Sequence, residues 1–438
     1  MNSRRVLVWG LLVLASGFFL YRGPVRGMAT DGYNDFAGSY TIAHLWIHGL
    51  NCYSPKEFVY QWVKDGRPKW QFVLEGAKAD SLGGSGTGLP PSLPFLAPFT
   101  VLPTIVSDRV WIWLNAIAIA AMLLLLFQSR SLPFLALALA LATLHTGIKG
   151  GNCSILVIAC LGFSYLWRHE RPIVAGVLLG IAGCFKPHLA GAGLLFLISE
   201  QTWIPVMLSA LTGLASFAIF ALRMAFTPVG LSWLSLFTAR SVTIGYAGGA
   251  DDFSLTNPSR YQLVNLQVIL GTVLSNSPLV NAIAISIVVA LVILWCYWML
   301  LREVSPIVGF AAINVILLLP SYHRIYDAGV VVFAIAAIAS LRYGWTVAVA
   351  LTPFIAPIPS AIMYLVATGR LPSSLLQNKG FVLLVLCHQI WILFGLALFL
   401  VVMMSKSPAR TVPSKNNRNS EGVDITGETS PAAAHEVV

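Results

Sequence analysis

Uninterrupted apolar runs about as long as a bilayer is thick, such as Leu279 to Leu301, recur along most of this 438-residue chain and leave it few ways to fold. In hydrocarbon such a run satisfies its backbone polar groups only as a helix or as a strand of a closed barrel. Barrel strands read as short alternating segments, whereas these runs are continuous. The chain is therefore expected to be all-α and polytopic. With 57% hydrophobic and 10% charged residues and a mean hydropathy of +0.79, it lies well outside the range of soluble domains. Cys52, Cys153, Cys160, Cys184, Cys296 and Cys387 have no CxxC spacing, so neither a disulfide framework nor a zinc site is expected.

Where the basic residues of short loops fall suggests a topology. Arg4 and Arg5 precede Val6 to Leu20, a stretch that reads as a signal peptide or as an anchor; Tyr21-Arg22-Gly23-Pro24 is a poor cleavage site and favours the anchor. With the amino end inside, a first helix from about Arg5 to Tyr21 delivers Asp31 and Asp35 outside. The loop that follows, to about Gly88, carries Trp62, Trp70 and Phe72 among Lys56, Lys64, Lys69 and Lys78, which suits short amphipathic segments lying on the headgroups. Pro90 to Pro103 has a proline every few residues and is short for a span, so it is expected to be re-entrant or juxtamembrane.

Further apolar runs follow at Val110–Phe127, Leu132–Ile148, Ile155–Trp167, Ile173–Phe185, Leu189–Ile198, Trp203–Phe226, Val280–Leu301, Val304–Pro320, Ala328–Ser340, Thr346–Ala367 and Phe381–Met404. With the first helix they make about twelve transmembrane helices, with Arg130, Arg168, Arg171, Arg302 and Arg342 inside. The expected organisation is a membrane domain over residues 1–404, with external loops at about 22–109 and 227–279, and a disordered cytoplasmic tail over 405–438.

The same parity gathers the unusual polar residues on the outer face. Asp31 and Asp35 stand where the chain leaves the bilayer, a place for chemistry on something delivered by lipid. Lys149, Lys186, Arg240, Arg260, Arg324 and Arg370 fall outside against the charge rule, and an anionic ligand such as a phosphate would account for several of them. Lys186-Pro187-His188 splits two half-length runs. The turn from Ser321 to Asp327 packs His323, Arg324, Tyr326 and Asp327 between two apolar helices, although Asp327 could simply pair with Arg324. Asp251-Asp252 could hold Mg²⁺ or Mn²⁺, but the surrounding Gly/Ser/Thr/Asn-rich stretch is turn chemistry, and neither a metal nor another cofactor is expected.

Several short motifs, taken in order, resemble glycosyltransferase family 87. They are Asp35-Phe36 with Tyr40 and Ala43, Gly49-Leu50-Asn51-Cys52-Tyr53-Ser54-Pro55, Pro90-Pro91 leading to Pro98 and Leu102-Pro103, Gly150-Gly151-Asn152, Gly176 to Lys186-Pro187, Asn265-Leu266-Gln267 and Ser321 to Asp327. Gly151 stands where the family commonly has Gln, Leu89 where Tyr often precedes the prolines, and Tyr322 where Pro is frequent. The resemblance, over about residues 31–345, implies a fold of the GT-C type and use of a polyprenyl-phosphate sugar, as with polyprenyl-phosphate mannose in making envelope glycolipids. It implies a catalytic acid in the first external loop, matched by Asp35 with Asp31 as competitor.

The residues suit that chemistry on their own terms. A sugar hydroxyl is a poor nucleophile, and a carboxylate placed to take its proton contributes on the order of 10²–10⁴-fold; Asp35 is the candidate base. A phosphate leaving group needs positive charge and donors, which His323, Lys186 and Arg324 could supply, with Tyr40, Asn152, Asn265, Tyr326 and Asp327 as further candidates. The expected reaction transfers a hexose or pentose, mannose foremost, with inversion, from the lipid donor to a glycolipid or glycan acceptor at the outer face of the plasma membrane. Membrane lipids are its surroundings and no nucleic acid is expected. The competing reading is a transporter or lipid flippase, suggested by the Lys between half-length helices, but its ionisable groups should lie near the midplane rather than at one face.

Overall fold

A computed structural model describes residues 3–29, 35–67, 89–128, 134–243, 252–254, 257–274, 277–320, 323–341 and 350–410. Asp31, Trp70, Phe72, Asp251, Tyr322, Arg342 and the chain after Arg410 lie outside the described residues.

Helix α1 spans Ser3–Leu20. Rather than ending near Tyr21, it passes through a π-helical turn at Tyr21–Val25 into Arg26–Met28. Pro24 lies inside that turn; it has no N–H to donate and its ring crowds the carbonyl four residues back, and the wider turn absorbs both. Helices α2 (Asp35–Ile47) and α3 (Pro55–Lys64) follow. The proline segment forms three short turns, Pro90–Ser92, Leu93–Leu96 and Ala97–Val101. Then come α4 (Thr104–Gln128), α5 (Phe134–Lys149), α6 (Ser154–Trp167), α7 (Pro172–Phe185), α8 (Pro187–Ser199) and α9 (Trp203–Ala225). They are followed by α10 (Ser232–Thr243), α11 (Leu266–Val273), α12 (Ser277–Leu301), α13 (Pro306–Ile316), α14 (Val331–Ser340), α15 (Ile358–Ala367) and α16 (His388–Ser405).

Among the described residues five helices are long and apolar enough to cross a membrane, Arg5–Met28, Thr104–Gln128, Trp203–Ala225, Ser277–Leu301 and His388–Ser405, and seven shorter apolar helices accompany them. Both sets coincide with the apolar runs read from the sequence. The fold is that of an all-α polytopic membrane protein. Its main core surrounds α13 and α14, which are buried along nearly their whole lengths. Trp295 of α12 donates its indole N–H to the Gly309 carbonyl of α13 at 2.8 Å, so even the polar atom of this large ring is satisfied inside the bundle.

The first loop does not merely lie on headgroups. Phe36, Tyr40, Trp46, Tyr53 and Trp62 pack with Trp111 of α4 and Phe220 of α9 into a second core. The reason lies in α3, which is amphipathic in the sequence: Phe58, Gln61 and Trp62 face inward while Lys56 and Lys64 stay exposed. Ser54 caps that helix, accepting from the Glu57 N–H at 3.4 Å. At its far end Arg67 forms a two-pronged buried ion pair with Asp108 of α4, and its guanidinium lies over the Tyr40 ring. The Tyr40 hydroxyl donates to the Leu102 carbonyl at 3.0 Å. The loop is thereby fastened to the start of α4.

Helices α7 and α9 approach closely because glycines occupy their interface. A Cβ on Gly176 would lie 2.7 Å from Leu208 Cβ, and one on Gly180 would lie 2.5 Å from Thr212 Cβ. Beyond α16 the chain folds back on the end of α12: the Glu303 N–H donates to Pro408 O and the Arg410 N–H to Leu301 O, each at 2.9 Å.

Candidate active site

The polar residues collect where α2, α6, α8 and α14 begin and α5 and α7 end. Asp35 is the first residue of α2, where the unpaired N–H groups of a helix start favour a negative charge. Its own N–H donates to the Gly150 carbonyl at 2.8 Å, joining α2 to the turn after α5. Gly151 has φ +60°, a left-handed conformation that favours glycine, and its carbonyl accepts from the Trp111 indole at 2.8 Å. Trp111 in turn stacks on Phe36, with ring centroids 4.6 Å apart. The backbone carrying Asp35 is thus held from both sides.

Side chains continue the connection inward. Asn152 donates Nδ2–H to Asp35 Oδ2 at 2.6 Å, and its Oδ1 accepts from the Ser154 N–H at 2.9 Å. These two bonds fix which end of the amide points where. The Ser154 hydroxyl touches Asn152 Oδ1 and lies 2.5 Å from Asp327 Oδ1. Lys186, at the break between α7 and α8, places its ammonium 2.6 Å from the same Asp327 oxygen. Asp35 is exposed, the Lys186 side chain keeps 11% of its surface accessible, and Asp327 and His323 have none.

Asp35, Asn152, Lys186 and Asp327 are therefore brought together, and Tyr326 joins them with its ring 4.9 Å from the Lys186 ammonium. The alternative pairing of Asp327 with the Arg324 side chain does not form. Arg324 gives Asp327 Oδ2 its backbone N–H at 3.1 Å, while its guanidinium reaches Gln262 Oε1 at 3.4 Å. Lys186 outcompetes it because the break at Pro187 aims an ammonium at the buried carboxylate. His323 stands behind Asp327, its Nδ1 3.7 Å from Oδ2, its Nε2 donating to the Leu317 carbonyl at 3.1 Å and its ring against His188. Asn265 caps α11, accepting from the Val268 N–H at 3.3 Å, and Tyr40 belongs to the second core. Ser154 escaped sequence reasoning. The only signal was a hydroxyl two positions after Asn152, the spacing of an Asx turn.

Next to Asn152, burial pushes the Cys153 thiol up to about 11, against the opposing pull of Lys186. His188, His323 and Asp327 bring atoms able to ligate a cation within 4.8 Å of one another. The Lys186 ammonium already sits on Asp327 Oδ1 and the Arg324 N–H on Oδ2, so a divalent ion would meet a like charge at a carboxylate whose two oxygens are both engaged, and the group does not suit one.

Fold and site define a polytopic helical membrane protein whose polar chemistry is gathered at one end of its bundle. The sequence model of glycosyltransferase family 87 matches residues 89–322, over half of the chain. The chain belongs to that family and is a membrane glycosyltransferase, and the transporter reading is set aside. The matched region holds Asn152, Ser154 and Lys186; Asp35 precedes it and His323 to Asp327 follow it. No curated protein and no solved structure matches the chain.

Proposed function

We propose that the protein transfers a hexose or pentose, mannose foremost, from a polyprenyl-phosphate sugar to a lipid-linked or envelope glycan acceptor at the extracytoplasmic face of the plasma membrane. Asp35 takes the proton of the acceptor hydroxyl as that oxygen attacks the anomeric carbon, and the bond to the lipid phosphate breaks on the opposite side, inverting the centre. The phosphate leaves as a stabilised anion and needs no general acid, unlike the alkoxide of a glycosidase. Lys186 meets its charge, with Arg324 nearby and Asp327 and His323 setting the position of the ammonium.

The observation that carries this reading is the continuous array from Asp35 through Asn152, Ser154 and Asp327 to Lys186. It joins an accessible carboxylate to a partly accessible cation, the two groups that this transfer requires.

An apolar groove of about 480 Å³ supports a lipid-borne donor. It lies between the proline segment, α7 and α9, with Phe95, Val177, Leu211, Ala215 and Ile219 among its walls. Thr212 and Ser216 also line it, but their hydroxyls donate to the Leu208 and Pro91 carbonyls at 2.7 Å each. The groove therefore offers hydrocarbon to hydrocarbon. Phe95, at its rim, packs on Phe185, the residue before Lys186. A polyprenyl chain seated there would carry its phosphate toward the cation.

The test is transfer by purified protein from synthetic polyprenyl-phosphate sugars. Asp35→Asn should abolish transfer while the protein stays folded, and undiminished activity would move the base elsewhere.

A further inference from the structure

The Ser154 hydroxyl has one proton and two close acceptors. Asn152 Oδ1 carries no hydrogen, because the Ser154 N–H and Asp35 fix the amide's orientation. Asp327 Oδ1 carries none while Lys186 donates to it and its carboxylate stays ionised. A hydroxyl can donate to only one of two such oxygens at a time, and the other contact is then an oxygen facing an oxygen. Ser154 thus has two positions, one favouring each neighbour, and the neighbours belong to opposite ends of the site.

We propose that Ser154 is a positioning residue that couples occupancy of the phosphate site at Lys186 to the readiness of Asp35, by turning its hydroxyl hydrogen bond from Asn152 to Asp327. This rests on Asp35 as the base and Lys186 as the donor-phosphate cation. With the phosphate site empty, Lys186 satisfies Asp327, and Ser154 donates to Asn152. That polarises the amide and tightens its N–H on Asp35 Oδ2. When a phosphate draws the ammonium toward itself, the fully buried Asp327 keeps the Arg324 N–H on Oδ2 but loses the Lys186 donor on Oδ1, and the Ser154 hydroxyl already stands 2.5 Å from that oxygen. Asn152 then draws less on the Asp35 charge while still orienting it, and the carboxylate becomes the stronger base toward the acceptor hydroxyl through its other oxygen. No covalent bond changes and no proton leaves its parent atom.

The handover works in both directions, because coupling between two sites is reciprocal in binding free energy. A negative Asp35 pulls on the Asn152 amide and makes its Oδ1 a better acceptor, which opposes transfer of the hydroxyl to Asp327 and so opposes phosphate binding. Other charged or titratable groups around the array are Cys153, Arg324, Tyr326, His323 and His188. None of them is bonded between Asp35 and Asp327 in the chain of contacts.

The experiment is calorimetric titration of the full-length protein with farnesyl phosphate, the leaving-group end of a donor, which needs neither sugar nor acceptor. Asp35→Asn should tighten binding about fivefold when Ser154 is present. The same factor is expected beside Ser154→Thr, which keeps the hydroxyl. Beside Ser154→Val, which has the shape of Thr without the hydroxyl, the factor should fall below about twofold, leaving only through-space repulsion. An equal factor in the Val and Thr backgrounds overturns the handover. Farnesyl phosphate that fails to bind, or that binds as well to Lys186→Met, overturns instead the phosphate site on which the inference stands.

Discussion

Asn152, in the turn between α5 and α6, gives its side-chain N–H to Asp35, 117 positions earlier, at 2.6 Å. The bond aims one oxygen of the carboxylate, Oδ2, into the array and leaves the other outside it. Removing it in Asn152→Ala should lower kcat by about tenfold, a fraction of what a general base contributes, while donor KM changes little. Asn152→Asp should be worse, because it sets a second negative charge beside the first. Steady-state kinetics of both variants check this; equal effects on kcat would argue against an orienting role.

Lys186 and Asp327 should behave differently when broken singly and together. Lys186→Met strands a buried carboxylate and should cost about 3–5 kcal/mol of stability. Combining it with Asp327→Leu should recover most of that loss, since an apolar pair of similar volume is often no worse than a buried ion pair. Donor binding should stay lost in the double variant. Thermal denaturation in detergent, read beside farnesyl phosphate affinity, separates the structural role of the lysine from its role toward the phosphate.

Cys153 should be slow to alkylate in the folded protein. Its thiol is pushed up to about 11 by burial, so raising the pH through the ordinary thiol range near 8.5 leaves it protonated and unreactive, and thiolate appears only as pH nears the higher value. Maleimide labelling at pH 7.5 followed by mass spectrometry should find it modified far more slowly than in unfolded protein. Rapid labelling would mean that the half-buried Cys153 carries an ordinary thiol pKa.

Filling the groove beside α9 should act on the donor alone. Ala215→Trp puts a large ring among Leu211, Ile219 and Phe95 and should raise KM for a long-chain donor by about tenfold with kcat held. A loss of uniform binding has that signature. A farnesyl donor, reaching less far along the groove, should be less affected, and an equal penalty on both chain lengths would place the isoprenoid elsewhere.

Much of the bundle was legible because run length and composition decide membrane helices almost without tertiary context. The break at Lys186-Pro187 was legible because proline cannot continue the backbone ladder. What stayed hidden depends on contacts between distant positions. Lys186 meets Asp327 across 141 residues, so local spacing pointed to Arg324, three positions from Asp327, instead. The burial of the first loop was hidden as well. Tryptophans among lysines suit a headgroup surface and a protein groove equally, and only the Arg67–Asp108 pair and the ring of aromatics around Trp111 decide between them.

Gly176 and Gly180 touch neither the carboxylate nor the cation, yet they set how near α7 stands to α9. Those two helices are also opposite walls of the groove, with Val177 on one and Leu211 and Ala215 on the other. The bore of that groove is therefore gauged by residues with no side chain at all. A methyl group added at Gly180 would wedge the walls apart, so the width of the groove can change without any change among the polar residues of the site.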